Sequence, residues 1–245
     1  MMPLARFALL LLATATALVA PASRVRAPVR STTIDVEPLA PSTEDAAAAR
    51  CAEAKEALLA AVRGTDRGFD RVGGDAVRAA IKALEAARAA GPSGALDGEW
   101  TLAWTDAPDI LSLRSPLATL GRIGQEIDAG AGTIVNVIEW SPPAFASRLP
   151  GLGSTLDDVV QQRVVTAFVQ NGDAVELKLK GAGARPKRLF GRDAGGGPLD
   201  VVGPLSLPFG NFDVLFNDGD LRVVRTNSGY VSVNVRRMPD GGGGD

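Results

Sequence analysis

No histidine occurs anywhere in the 245-residue chain, and Cys51 is its only cysteine. Without histidine there is no Ser-His-Asp or Cys-His relay and no imidazole metal site. One cysteine forms no internal disulfide and no zinc or iron–sulfur cluster. The chemistry left open is carboxylate catalysis, a Lys or Tyr base, a hard-cation site, or none. Asp157-Asp158 has the form of a cation-ligand pair, but adjacent acids at the start of a strand are more often a solvated edge. Gly151-Leu-Gly153 begins a dinucleotide fingerprint, yet Leu156 stands where its third glycine belongs, and no phosphate-loop spacing occurs. Asp220 with Arg222 or Arg225 is the remaining constellation for an enzyme reading. These patterns single out no catalytic residue, metal ligand or cofactor motif, and they leave the question of catalysis open.

Charge points the same way. The 26 Lys and Arg against 28 Asp and Glu leave a formal charge of −2, unlike a nucleic-acid binder's basic surface. The one basic stretch, Lys180 to Arg192, holds Arg185, Lys187 and Arg188 without an acid. It reads either as a solvated loop or as a contact for anionic head groups.

The elements that must position such residues fall into two kinds. Ser42 or Thr43 before Glu44 and Asp45 is a helix N-cap signal. Ala47, Cys51, Ala54 and Leu58 then recur at helical spacing, which makes Cys51 a small packing residue. Gly73-Gly74 breaks the chain, Asp75 is placed to cap a second helix, and Val77, Ile81 and Leu84 form its buried stripe. From Ala95 the period changes to two. Strands are expected near 99–106, 122–128, 132–141, 159–170, 173–180, 184–190, 198–207, 211–217, 220–226 and 229–236. Tight turns such as Asn171-Gly172 and Asp218-Gly219 make neighbours antiparallel. The fold class expected is mainly β, an antiparallel meander closed into a barrel behind a short N-terminal helical segment, with a sandwich as the alternative.

Strict alternation puts Trp100, Leu102 and Trp104 on one face with Val164, Phe168, Leu177, Leu179, Val231, Val233 and Val235. Such an apolar lumen either is a solid core or holds one small hydrophobic molecule, a lipid or an isoprenoid. Trp100 is expected to close one barrel end under an arginine. Leu221, Val223 and Arg225 share a parity, so Arg225 is the first choice and Arg222 the second.

At the N-terminus, residues 1–20 carry one charge, Arg6, before an apolar run too short to span a bilayer, in the order of a signal peptide. Residues 21–33 add Arg24, Arg26 and Arg30 with Ser and Thr and no acid, as a transit peptide does. A bipartite plastid address is one reading and simple secretion the other; the missing disulfides favour the first. Removing residues 1–33 takes away four Arg and no acid, moving the formal charge from −2 to −6. The expected organisation is signal peptide 1–20, transit peptide and linker 21–42, helical lead-in 43–92, β-domain 95–237 and tail 238–245. Phe145, Leu149 and Leu152, with Leu111, Leu113, Leu117 and Leu120, are apolar loop candidates for a membrane face, assisted by Arg185, Lys187 and Arg188.

Three blocks of sequence resemble one family. Lys55-Glu-Ala-Leu-Leu-Ala-Ala-Val-Arg-Gly64-Thr-Asp-Arg67-Gly68 is similar to a leucine-rich helix ending in a Gly-Thr-x-Arg-Gly turn. Leu96-Asp-Gly98-Glu-Trp100-Thr-Leu102-Ala-Trp104-Thr105 is similar to a first strand of pattern Leu-x-Gly-x-Trp-x-Leu-x-Tyr-Thr, with Trp104 in place of Tyr. Phe216-Asn-Asp218-Gly-Asp220-Leu221-Arg222-Val-Val-Arg225 with Gly229-Tyr230-Val231 resembles a terminal hairpin. Together, over residues 53–237, the chain resembles the plastid lipid-associated proteins, or fibrillins. The resemblance implies a lipocalin-like barrel and a non-catalytic role with lipids at thylakoid or plastoglobule surfaces. The runner-up is a lipocalin-fold enzyme or an accessory partner of an isoprenoid-pathway enzyme.

Overall fold

The computed structural model describes residues 42–88, 94–143, 145–146, 157–194 and 202–237, and of 202–208 the backbone alone. The expected signal and transit peptides, the tail, Leu149 and Leu152 lie outside the described residues.

Helix α1 (Thr43–Val62) opens on Ser42, whose hydroxyl accepts from the Asp45 backbone N–H at 3.1 Å while the Asp45 carboxylate accepts from the Ser42 N–H at 3.2 Å. This reciprocal box satisfies two donors that a helix start leaves open. Helix α2 (Gly74–Ala87) is capped differently from the expectation. Gly73, at φ 72°, is the cap, and Asp75 lies inside the first turn, paired with Arg78 at 2.9 Å. Val77, Ile81 and Leu84 are the buried stripe of α2, as the spacing predicts.

Among the described residues nine strands follow: β1 (Gly98–Thr105), β2 (Thr119–Asp128), β3 (Thr133–Ser141), β4 (Val159–Asn171), β5 (Ala174–Leu189), β6 (Arg192–Asp193), β7 (Val202–Asn217), β8 (Leu221–Thr226) and β9 (Val231–Arg236). A four-residue helix, α3 (Pro108–Leu111), lies between β1 and β2. All strand pairs named in the sheet are antiparallel. The order is β4-β3-β2-β1-β9-β8-β7-β5-β6, and β4 also pairs with β5, so the sheet returns on itself as a ring. A single ring replaces the two-sheet sandwich. Strand β5 joins the two segments expected at 173–180 and 184–190, carrying a register shift beside Lys180. The basic run from Lys180 therefore lies largely on a strand and not on a loop, with Lys187 and Arg192 exposed.

Two apolar clusters occupy opposite faces of the ring. Inside, Leu96, Trp100, Ile127, Ile134, Val175, Phe212, Val214 and Val224 come together with Phe168 and Leu177 at the margin. Outside, Leu58, Val77, Ile81 and Leu84 of the helices cover Trp104, Phe216, Leu221, Val223, Val231 and Val233. Each such side chain contributes roughly 1.5–3 kcal/mol on full burial.

Among the register shifts of the sheet, the bulges in β1 and β7 redirect aromatic side chains. Leu102 is opposite Asn234 but Trp104 is opposite Val233, so Ala103 is an extra residue in β1. Val214 is opposite Val224 but Phe216 is opposite Val223, so Leu215 is an extra residue in β7. Each bulge turns the next aromatic from the interior to the helices. Trp104, Val231, Val233 and Val235 thus belong to the outer face, not the lumen to which parity assigned them.

Polar ties fasten the helices to the ring. Lys55 donates to Asp218 at 2.6 Å, and Arg88 donates to the Leu215 carbonyl at 2.8 Å and pairs with Asp173 at 2.8 Å. The lead-in turn reaches the first strand directly. Thr105 N–H donates to the Arg67 carbonyl at 3.1 Å, and Arg67 donates to the Gly121 carbonyl. This is the structural content of the Gly-Thr-x-Arg-Gly motif.

Candidate functional site: the interior of the ring

Trp100 sits at the end of the ring where the β2–β3, β4–β5 and β7–β8 turns gather, because it lies near the start of β1. It is fully buried, and its Nε1–H donates to the Leu96 carbonyl at 2.8 Å. Two guanidinium groups lie on its ring: Arg222 at 4.6 Å and Arg236 at 4.8 Å from the centroid. Arg236 donates to the carbonyls of Gly219 and Asp97. Arg225, the first choice for this role, is elsewhere. It faces the helices and pairs with Glu85 at 3.0 Å. The cause is the side of the strand: Leu221, Val223 and Arg225 do share a face, but it is the outer one, and Arg222 faces in with Val224.

Arg222 is completely buried. One amino group donates to Gln125 Oε1, and Gln125 donates in turn to Asn136 at 2.8 Å. Since β8 and β2 are not neighbours in the ring, this chain of bonds crosses its interior. Arg222 Nε and Nη1 have no hydrogen-bond partner among the described residues. Burial first, and the charge of Arg236 second, push its pKa down to about 9. Asn234, opposite Arg222 in the register, is also buried.

The opposite end differs. Leu102 remains on the inner face and is buried, as is Ile123. On the same face further up, Ile138 and Val164 are half-buried, while Gln162, Ala182 and Ala184 are exposed. The interior therefore runs from a shut, cationic floor to a wall that solvent reaches. Of the residues named for the lumen and its closure, the fold brings together Trp100, Phe168, Leu177 and Arg222, with Leu102 above them. Gln125, Asn136 and Asn234 escaped sequence reasoning, since isolated amides in strands carry no periodic signal.

The enzyme constellation does not assemble. Asp220 is largely exposed and lies 3.9 Å from Lys55, whereas Arg222 is buried and bonds Gln125. Asp158 accepts from the Gly191 N–H at 3.1 Å, a loop bond.

The outer surface carries the remaining candidates. Arg122 and Arg163 converge on Glu126, and Arg122, Lys187 and Gln161 on Glu139. Burial works to raise the Glu139 carboxyl, but Gln161, Lys187 and Arg122 outweigh it and hold it below the ordinary range. Lys187 and Arg188 are thus engaged, the latter with Asp193 at 3.8 Å. Phe145 is 53% exposed and borders a cleft of about 580 Å³ with Arg67, Arg114 and Leu120; Leu117, in the adjoining segment, is 77% exposed. A second cleft, of about 380 Å³, lies between the lead-in turn and α3, against Trp104 and Asp106. Among the described residues no helix is long and apolar enough to cross a membrane.

Comparison with known proteins agrees with the three motif blocks. A search of curated proteins returns no match. The PAP_fibrillin family model matches residues 52–234, well over half of the chain. That span takes in the lead-in turn, the Trp100 strand and the Arg222 hairpin, and on it the chain belongs to the PAP/fibrillin family of plastid lipid-associated proteins.

Proposed function

We propose that the protein binds or organises hydrophobic lipids or isoprenoids at thylakoid or plastoglobule surfaces, without catalysis. In this reading the ring is a lipocalin-like barrel, and its inner face is the ligand site. The observation that carries the reading is the contrast along that face. Trp100, Ile134 and Val175 are fully buried at one end, while the β4–β5 wall at the other is open to solvent. A largely apolar, one-ended chamber suits a molecule with a long hydrocarbon part.

Peripheral attachment follows from charge and exposure. A chain with more acid than base is repelled on average by an anionic surface, so contact must begin with apolar groups. Phe145 and Leu117 are the exposed apolar groups beside Arg67 and Arg114. Arg185, Lys187 and Arg188 add local attraction, reduced where Glu139 and Asp193 already hold them. The N-terminal segment acts as a two-part plastid address, which a fluorescent fusion of residues 1–42 tests by its location.

Extraction of the purified protein with organic solvent, followed by mass spectrometry, tests the ligand reading. One co-purifying lipid class in stoichiometric amount is expected. A lipid-free protein that takes up neither phytol nor hexadecanol would contradict it.

A further inference from the structure

A buried cation with two donors unpartnered among the described residues is an unusual thing to retain at the closed end of a ring whose inner face is largely apolar. Ordinary packing would favour an aliphatic residue there, because an unpaired buried charge gives up its solvation without return. Arg236, the other cation on Trp100, has its donors directed to two backbone carbonyls. Arg222 instead has one bond, to the neutral Gln125, and no acid pairs with it among the described residues. The groups around it, Gln125, Asn136 and Asn234, are amides, which can donate to an anion and carry no charge of their own. Burial and Arg236 make the charged form of Arg222 costly, as its lowered pKa records. An anion placed beside it would reverse that cost.

We propose that the interior of the ring holds an amphipathic ligand whose single carboxylate pairs with Arg222, the hydrocarbon chain running past Leu102 and Ile123 toward the open β4–β5 wall. Of the two cations on Trp100 only Arg222 has donors unpartnered among the described residues, those of Arg236 going to carbonyls, so a single carboxylate fits this end better than a bulkier phosphate dianion. The walls above the floor are largely apolar, which fixes the direction of the chain. The proposal rests on the reading of the interior as a lipid site and specifies the polar end of what enters it.

The test compares palmitate, hexadecanol and hexadecyl phosphate on the full purified protein by titration calorimetry. Palmitate is expected to bind at least ~10-fold more tightly than hexadecanol, which corresponds to one charge-assisted pair. In Arg222→Met that ratio falls to within about twofold, and Arg222→Lys restores part of it. A readout that needs no variant is the ¹³C-carboxyl signal of bound [1-¹³C]palmitate, which stays ionised well below the pH at which free palmitate protonates. Equal binding of acid and alcohol by the wild type, or a bound carboxyl that titrates normally, would overturn the carboxylate assignment while leaving the lipid site standing. So would tighter binding of hexadecyl phosphate than of palmitate. Failure of all three ligands to bind would overturn both.

Discussion

A Cβ on Gly68 would stand 2.2 Å from the backbone carbonyl oxygen of Thr105. The two residues join the helical lead-in to the first strand, and Gly68 meets the strand at φ 95°, where L side chains are strained. Gly68→Ala is expected to cost about 1–3 kcal/mol, on backbone strain alone, before the contact is relieved. Gly64→Ala, also at positive φ but with nothing within 4 Å, should cost less. Urea unfolding of both variants checks this; equal losses would remove the close approach as the reason for the motif.

Trp104 and Trp100 are both buried in β1 but on opposite faces. Trp104→Ala should cost about 3–5 kcal/mol. It should also lower hydrogen-exchange protection in α2 (Gly74–Ala87), because Val77, Ile81 and Leu84 share its cluster. A loss below about 1 kcal/mol would mean that the helices do not depend on this contact.

Arg222→Met is expected to leave stability unchanged or raise it. It removes an uncompensated buried charge, against a cation–π contact worth about 0.5–2 kcal/mol and one hydrogen bond to Gln125. Chemical denaturation decides. A loss above about 3 kcal/mol would make Arg222 a structural strut and not a residue retained for a ligand.

Asp218 gives the acid limb of the stability profile a specific feature. Burial works to raise its carboxyl, but the bond from Lys55 and the backbone donors of Leu221 and Asp220 outweigh it, so the pKa lies below the ordinary aspartate range. A depressed carboxyl stabilises the fold above its unfolded value and loses that contribution as pH falls through its folded value. Asp218→Asn should therefore be less stable than wild type at pH 7 by about 0.5–1.5 kcal/mol, the pair being partly exposed. The gap should close as pH drops below the aspartate range. A gap that stays constant with pH would rule out the ion pair as its source.

Polar replacement of Phe145 and Leu117 should weaken sedimentation with anionic liposomes at every salt concentration, while high salt alone weakens it only partly. Two such side chains supply roughly 3–6 kcal/mol on burial before ordering costs, and this part is not screened. Complete release by salt, with both substitutions silent, would contradict the apolar contact.

The sequence declared its elements more readily than their faces. The Ser42 cap, the Val77–Ile81–Leu84 stripe and the Asn171-Gly172 turn follow from local chemistry, and local chemistry is what a sequence displays. Which side of β1 Trp104 occupies depends on Ala103 being an extra residue, and a period of two cannot register an insertion that only the neighbouring strand reveals. A different limit places Arg225 at the floor in place of Arg222. Their parities were correct, but which parity is inner is set by where the helices pack. The amide relay Gln125–Asn136 joins strands that are adjacent only after folding.

The central claim is that the inner face of the ring, and not its outer surface, receives the lipid. Methyl-labelled NMR during titration with phytol tests it most directly. Shifts are expected only in inner-face methyls, led by Leu102, Ile123, Ile138 and Leu177, with Leu58, Ile81 and Leu84 of the covering helices unmoved. Shifts restricted to Leu111, Leu113 and Leu117, with the interior silent, would contradict it.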